Sequence, residues 1–404
     1  MTRPVEFMNG ALADLRVLEL GTLLAGPFCG QILGDMGAEV IKIEPPNQGD
    51  PLRVWGRHDE STGPSLWWPV VSRNKKCITL DLRQREGQEL LRELVGHTDF
   101  LLENFRPGTL EKWGLSYETL SAINPRLIMI RVSGYGQTGP YAHRAGFGAI
   151  GEAMGGLRYI VGNPSTPPSR VGISIGDSLA ATFACVGALS ALHYRQKTGR
   201  GQVVDSAIYE AVLNMMESLI TEYDKTGFIR ERTGAILPNI APSNVYPTRE
   251  SMVLIAANQD TVFRRLCEAM GMPELAHDPD YATHVARGRN QQKLDDLIAR
   301  WTATLATRQV LDLMDTHGVP AGLIYRPPDM LEDPQFAARQ AIVTVKHPVY
   351  GDLKMQNIVP KLSETPGSIR SIAPSLGQHN DDVYLDLMKL PRARLEELKL
   401  KKVI

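Results

Sequence analysis

Asp177 is the one charged residue in the run VGISIGDSLAATFACVGALSAL (171–192). Val171, Ile173 and Ile175 alternate with Gly172, Ser174 and Gly176, a strand-like period, and the run from Leu179 is apolar enough for a buried helix. Asp177 falls where the two meet. A carboxylate there has two uses, as a helix cap or as a catalytic group, and they are compatible. Helix N–H groups favour the ionised form, and that is the form a nucleophile needs. Two other segments gather cations. Arg73, Lys75 and Lys76 precede a predicted strand, and Arg106 and Lys112 flank a short stretch carrying Phe105 and Trp113. On local sequence alone these are ordinary solvated charges.

The rest of the composition narrows the field. The 404 residues carry a formal net charge of -1, so nothing suggests bulk attraction to nucleic acid, and a polyanionic ligand needs a local basic cluster. Hydrophobic residues make up 43% and charged residues 22%, a composition that folds. Cys29, Cys77, Cys185 and Cys267 are far apart and form no CxxC, as expected of reduced, packed thiols in a cytoplasmic protein. The opening MTRPVEFMNG has no apolar run of a secretory signal, and the uncharged stretch 178–192 is shorter than the roughly 20 residues of a membrane span. The nine histidines show no HExxH grouping, so no metal site is predicted.

Along the chain, RVLEL (16–20), AEVIKIE (38–44), CITLDL (77–82), FLLEN (100–104) and LIMIRVS (127–133) read as strands. A helix opened by Pro27 and another over EGQELLRELVGH lie between them. This rhythm predicts an α/β fold with a doubly wound, mostly parallel sheet. A glycine-rich segment, Gly134–Gly156, interrupts it, and QVVD (202–205) reads as a further strand. NVYPTRESMVLIAA reads as an antiparallel hairpin, followed by helices over 261–317, and AIVTVKHPVYGDLKMQN as another hairpin. The expected domains are 1–205, the first part of a large domain; 206–235, a linker; 236–335, a smaller α+β domain; and 336–404, a return to the large domain.

A strand, a glycine turn, a helix and a second strand ending in Glu44 also suggest a dinucleotide site. The spacing fails: Gly21 and Gly26 enclose Leu23 and Leu24, and no GxGxxG or GxxxxGK[ST] is present.

Several segments, in order, resemble the class III CoA-transferase family, the group of formyl-CoA and carnitine-type transferases and α-methylacyl-CoA racemases. They are LAGPFCGQILGDMGAEVIKIEPPNQGDPLR (24–53), RNKKCITLDL (73–82), LLENFRPGTLEKWGL (101–115), GYGQTGPY (134–141), SIGDSLAA (174–181), KTGRGQVVD (197–205) and SLGQHNDDV (375–383). The whole chain is most similar to the succinyl-CoA-dependent branch with dicarboxylate acceptors such as benzylsuccinate or malate. The resemblance implies an interlocked, ring-like dimer, or a heteromer with a homologous subunit. It implies a CoA thioester as substrate rather than a permanently bound cofactor, and a small carboxylic acid as acceptor.

In that family the nucleophilic aspartate falls on Asp177. A carboxylate with a reference pKa of about 3.9 needs no base to attack a thioester. The resemblance implies an aspartyl anhydride, then an aspartyl-CoA thioester. It also implies phosphate contacts from Arg73, Lys75, Arg106 and Lys112, adenine packing by Leu23, Phe105 and Trp113, and an acyl-pocket role for Tyr135. Arg144 and Arg170 are candidates for a distal carboxylate.

This chain departs from the family at Leu24, where many relatives have glutamine, and in LPNIAPSNVYP (237–247), which matches the family's glycine-rich or His-Gly loop and where Asn239 and Ser243 are candidates to offer polar groups. It departs again at Gly148, where relatives often carry an acid; the missing side chain is expected to leave room for an acyl group. The racemase branch is the alternative reading; it needs an acid/base pair, usually with a histidine, and AGFGAIGEA has no histidine, with His143 just outside it.

Overall fold

A computed structural model describes residues 10–57 and 64–404. The chain divides into two compact units, one of Met1–Arg158, Val171–Phe228 and Gln340–Ile404, the other of Tyr159–Arg170 and Ile229–Arg339.

The first unit is built on six parallel strands: β1 (Arg16–Glu19), β2 (Glu39–Glu44), β3 (Lys75–Thr79), β4 (Phe100–Glu103), β5 (Ile128–Ser133) and β6 (Val203–Ala207). Their order is β3-β2-β1-β4-β5-β6. In β1 to β5 nearly every residue is buried, with helices on both faces, while β6 at the other edge is partly exposed. The order reverses between β1 and β4, which opens a crevice at the carboxyl ends of the strands. Helices α1 (Ala25–Asp35), α2 (Arg85–Val95), α3 (Thr109–Lys112), α4 (Gly148–Met154), α5 (Ile175–Thr198) and α6 (Ile208–Asn214) belong to the same unit.

The alternation at 171–175 does not form a strand. Ile175 opens α5 instead, and the place beside β5 is taken by β6. β3 starts two residues earlier than expected, so Lys75 and Lys76 lie in the strand and not before it. At 24 residues α5 is longer than its uncharged stretch and meets the length and composition of a membrane-crossing helix. In the fold its small residues Ala180, Ala184 and Ala188 are buried, while Phe183, Val186 and Leu189 face outward. Cys29 of α1 and Cys185 of α5 touch, Sγ to Sγ, at 3.3 Å; all four cysteines are free and buried.

β3 is an edge strand, and an open edge invites wrong pairing. The C-terminal segment closes it with side chains. Cys77 N–H donates to His379 Nδ1 at 3.0 Å, Thr79 N–H to Asn380 Oδ1 at 2.9 Å, and Tyr384 Oη–H to the Thr79 carbonyl at 2.7 Å. Tyr384, Leu395, Leu398 and Val403 then join the same core as Leu18, Ile41 and Leu101.

The second unit has its own antiparallel sheet, β7 (Ser243–Pro247), β8 (Met252–Ala256) and β9 (Ala321–Leu323). Its core contains Tyr246, Phe263, Leu266, Ile298 and Val310. Arg287 is fully buried there, donating to the carbonyls of Ala241, Tyr281 and Asn258 and to Asp260. The hairpin of β10 (Ile342–His347) and β11 (Gly351–Gln356) belongs to the first unit.

His379 must be unprotonated at Nδ1 to accept from Cys77. Burial lowers its pKa, with Lys76 adding to the effect and Asp382 opposing it. His347 Nδ1 likewise accepts from the Val349 and Tyr350 N–H groups, and burial lowers its pKa too. The unfolded chain then binds protons before the folded one does. Stability from these groups is complete above about pH 6.5, the free-histidine value, and is lost as pH falls through their lowered folded values. The melting temperature should therefore drop between pH 7 and pH 5, and His379→Asn should make that drop shallower. An unchanged slope would show that His379 does not titrate on unfolding.

Candidate active site

The site begins with a buried charge network under the carboxyl edge of the sheet. Glu19, at the end of β1, takes Lys42 Nζ at 3.0 Å and Lys75 Nζ at 2.7 Å. Lys42 also binds Asp50 at 2.7 Å and the Gly21 carbonyl at 2.7 Å, and Lys75 the Pro27 carbonyl at 2.6 Å. Asp50 accepts from the N–H groups of Leu23 and Leu52, and Glu44 accepts from Asp50 N–H and clamps Arg53 through both oxygens. Leu23 sits at a positive φ of 62°. The network fixes both loops that leave β1 and β2.

The two lysines respond oppositely to burial. For Lys42 burial alone pulls the ammonium pKa down, but Glu19, Asp50 and Glu44 outweigh it and hold it above the usual lysine range. Lys75 is buried just as deeply, and Glu19 only partly offsets the desolvation, so its pKa is lowered.

Beside the network, Asn104 bridges the loops after β1 and β4. Its Oδ1 accepts from Thr22 N–H at 2.8 Å and its Nδ2 donates to the Thr22 carbonyl at 2.9 Å. A β-carbon on Gly21 would come within 3.1 Å of Asn104 and 3.2 Å of Gly26. These two glycines therefore serve close packing at the switch point. Glu103 receives Phe105 N–H at 2.7 Å and Arg131 at 2.6 Å, and Arg131 reaches on to Glu111 at 2.7 Å. Burial raises the Glu103 pKa against the pull of Arg131. The result is a fixed Phe105, edge-on to Trp113 with ring centroids 5.5 Å apart.

Phe105 and Trp113 form one wall of a cavity of about 160 Å³ at this edge. Leu20, Ile43, Leu80 and Leu82 supply other apolar surface, and Thr22, Gln48, Asp81 and Arg83 supply polar groups. Arg83 is held by Asp81 through two contacts of 2.8 and 3.0 Å. Leu80, Leu82 and Arg83 were not expected from sequence; the signal available was their position just past the end of a parallel strand.

Two of the expected phosphate contacts take other roles. Lys75 is enclosed in the network, and Arg73 is buried against Asp35 and the Gln356 carbonyl. Neither presents its charge to a ligand. Arg106 and Lys112 are exposed near the aromatic pair. Leu23 does not line the cavity. Leu24 packs against the cluster of Leu52, Trp68, Val71 and Cys77. Tyr135 stands edge-on to Tyr141, which carries the Arg144 guanidinium on its face at 3.8 Å. In the second unit, Asn239 has a positive φ of 64° and Ser243 opens β7.

Asp177 is the third residue of α5, not its cap; the cap position is Ser174. The far end of α5 lies at the amino edge of the sheet, where Arg195 binds Asp99 and the Arg126 carbonyl. Near the other end, Ser206 of β6 donates to the Ala180 carbonyl. Asp177, about one turn before Ala180, therefore projects at the carboxyl edge, the same edge as the cavity. Its carboxylate rests on Gly148: a β-carbon there would lie 2.3 Å from Oδ2 and 2.8 Å from Cγ. The space over Gly148 is filled by the aspartate. This corrects the expectation that it is open to an acyl group.

The family model of CoA-transferase family III matches residues 12–380. The chain belongs to CoA-transferase family III. It is 62% identical over 394 residues to a succinyl-CoA–D-citramalate CoA-transferase of Chloroflexus aurantiacus, covering 97% of this chain and 98% of that one. It is 41% identical to the β subunit of a succinyl-CoA–L-malate CoA-transferase of the same organism, covering 97% and 98%. A crystal structure of a CaiB/BaiF family protein from Brucella suis matches with a TM-score of 0.82 and 35% identity, covering 94% of this chain and all of that one. The enzyme class expected from the ordered segments, and the parallel sheet of its fold, agree with these relatives.

The buried network and the exposed cations should separate by stability. Lys75→Ala leaves Glu19 short of a partner and should cost about 3–5 kcal/mol in chemical denaturation. Lys112→Ala, at the surface, should stay within about 0.5 kcal/mol of the parent. Equal losses would refute the division.

Proposed function

We propose that the enzyme moves CoA from succinyl-CoA to a small dicarboxylic acid of the citramalate or malate type, through a CoA thioester on Asp177. The observation that carries the substrate reading is the 62% identity, over nearly the full length of both chains, to the succinyl-CoA–D-citramalate enzyme. The mechanism reading rests on a carboxylate held at the carboxyl edge of the sheet, in the first turn of a long helix whose dipole favours the ionised form.

The steps balance without an external base. An Asp177 oxygen bonds to the thioester carbonyl carbon, the C–S bond breaks and CoA leaves as thiolate. The thiolate then bonds to the aspartyl carbonyl carbon, breaking the anhydride and freeing succinate as its carboxylate. The acceptor carboxylate reverses both steps and leaves as the new thioester. Each intermediate is hydrolysable, so the closed site must exclude water.

The adenine fits the wall of Phe105, Trp113, Leu80 and Leu82, with Arg83, Arg106 and Lys112 facing its phosphates. The outward apolar side chains of α4 and α5, among them Ile150, Met154, Phe183, Val186 and Leu189, support a subunit contact in an interlocked dimer. Two chains of the malate enzyme are related to this one, at 41% and 40% identity, so a homologous second subunit is the alternative assembly. A racemase gains no support: Phe147 and Gly148 carry no group that moves a proton.

Asp177→Ala should abolish transfer and leave the fold intact. Incubating the parent enzyme with succinyl-CoA and no acceptor should build a thioester that hydroxylamine converts to a hydroxamate on the peptide containing Asp177. With labelled succinate exchanging into the thioester, an unmodified peptide would overturn the covalent assignment.

Donor and acceptor acids occupy the acyl site in turn, so one cation can receive the distal carboxylate of both. Arg144 is the candidate. It lies in the segment leading to Gly148, no more than about 14 Å of chain away, and Tyr141 holds its guanidinium. Arg144→Gln should raise KM for succinyl-CoA and for the dicarboxylate acceptor about tenfold each. Exchange between butyryl-CoA and butyrate should be unaffected. Equal losses for both acid classes would remove Arg144 from recognition.

A further inference from the structure

The glycine-rich segment brings backbones together where side chains would keep them apart. A β-carbon on Gly134 would come within 2.9 Å of Gly146 Cα, and one on Gly176 within 3.2 Å of the Gly148 carbonyl oxygen. Gly151 on α4 would meet the Ile208 side chain at 2.4 Å, and Gly155, just past the end of α4, that of Val212 at 2.6 Å. Four of these positions thus press α4 onto α5 and α6 or fold the segment on itself. Gly148 is different. Its three nearest neighbours are all atoms of one carboxylate: Asp177 Oδ2 at 2.3 Å, Cγ at 2.8 Å and Oδ1 at 3.0 Å.

We propose that Gly148 is the positioning residue for the Asp177 nucleophile: its bare Cα is the seat on which the carboxylate rests. The inference rests on the reading of Asp177 given above. With the packing of this chain, a β-carbon at 148 must displace the carboxylate, because Gly148 is itself buried and opens α4, which Gly151 and Gly155 hold against α6. The shift falls on the Asp177 side chain, because its backbone is held. Gly176, the residue before it, is packed against Glu152, Ile208 and the Gly148 carbonyl, so the backbone bearing Asp177 has no slack. A contact of 2.3 Å has to open to the ordinary 3.4 Å or more, a shift of about 1 Å, and a misplacement of that size costs about a hundredfold in rate. The absent side chain therefore serves the first bond-forming step, in which an Asp177 oxygen bonds to the thioester carbon and the C–S bond to CoA breaks.

The test compares Gly148→Ala with Gly151→Ala, whose new methyl presses on Ile208 and not on the carboxylate. Three quantities are read for each: the rate of thioester formation on Asp177 with succinyl-CoA alone, affinity for CoA, and melting temperature. Gly148→Ala should slow thioester formation about a hundredfold, with CoA affinity within about twofold of the parent. Gly151→Ala should lower the melting temperature, with a smaller effect on the rate per folded molecule. Thioester formation in Gly148→Ala at the parental rate would overturn the proposal. So would a loss of CoA affinity parallel to the loss of rate, because Gly148 would then be holding the scaffold as a whole. A parent enzyme that forms no thioester would instead sink the covalent reading of Asp177, which separates the two failures.

Discussion

The first unit depends on Glu19 holding two ammonium groups buried away from the surface. Glu19 ends β1, Lys42 comes from β2 and Lys75 from β3, so one carboxylate ties three adjacent strands at the edge where the crevice opens. Removing three charges from water is costly, and it is tolerated because each finds further partners: Asp50 and the Gly21 carbonyl for Lys42, the Pro27 carbonyl for Lys75. The geometry leaves little freedom. A β-carbon on Gly30 of α1 would sit 1.9 Å from Glu19 Oε2, so α1 must present a glycine to the carboxylate. From there the constraint spreads through Asp50 to the backbone of Leu23, and through Glu44 to Arg53, which stacks on Trp68 at 3.8 Å.

A second constraint works from the opposite side of the switch point. Arg131 on β5 bridges Glu103 on β4 and Glu111 on α3, and Glu103 fixes the backbone of Phe105. The cavity therefore has its loops set by two ion networks, one on each side of the reversal in strand order, with Asn104 joining them. Open sheets of this order bind their ligands at that reversal. Here the chain reaches the arrangement without the glycine fingerprint of dinucleotide enzymes, and it uses Gly21 and Gly26 for packing.

The parallel sheet was legible because each strand is a short apolar run between helical ones, and Asp177 stood out because nothing near it in sequence is charged. Phe105 and Trp113 were legible as a pair beside cations. Lys75 and Arg73 were misread for a physical reason: their partners, Glu19 and Asp35, lie 56 and 38 residues away. Local sequence distinguishes a solvated lysine from a buried, paired one only when the partner is near. Gly148 was misread similarly. A glycine announces missing volume, but not whether solvent, substrate or another residue's carboxylate fills it. Leu80, Leu82 and Arg83 went unnoticed because their relevance comes from the end of a strand whose register is set by its neighbours.

The closure of β3 bears on how the molecule is made. Cys77 and His379 are partners across 302 residues, and Thr79 and Tyr384 across 305. Throughout synthesis of the intervening chain, including the whole of Ile229–Arg339, the edge of β3 has no partner from the C-terminal segment. Contacts of such long sequence separation form late and slowly, and an open strand edge during that interval is a site for association between nascent chains. The second unit has its own core and can fold on the ribosome while the first waits. The sheet that carries the candidate active site can thus be sealed only once the C-terminal segment has been made.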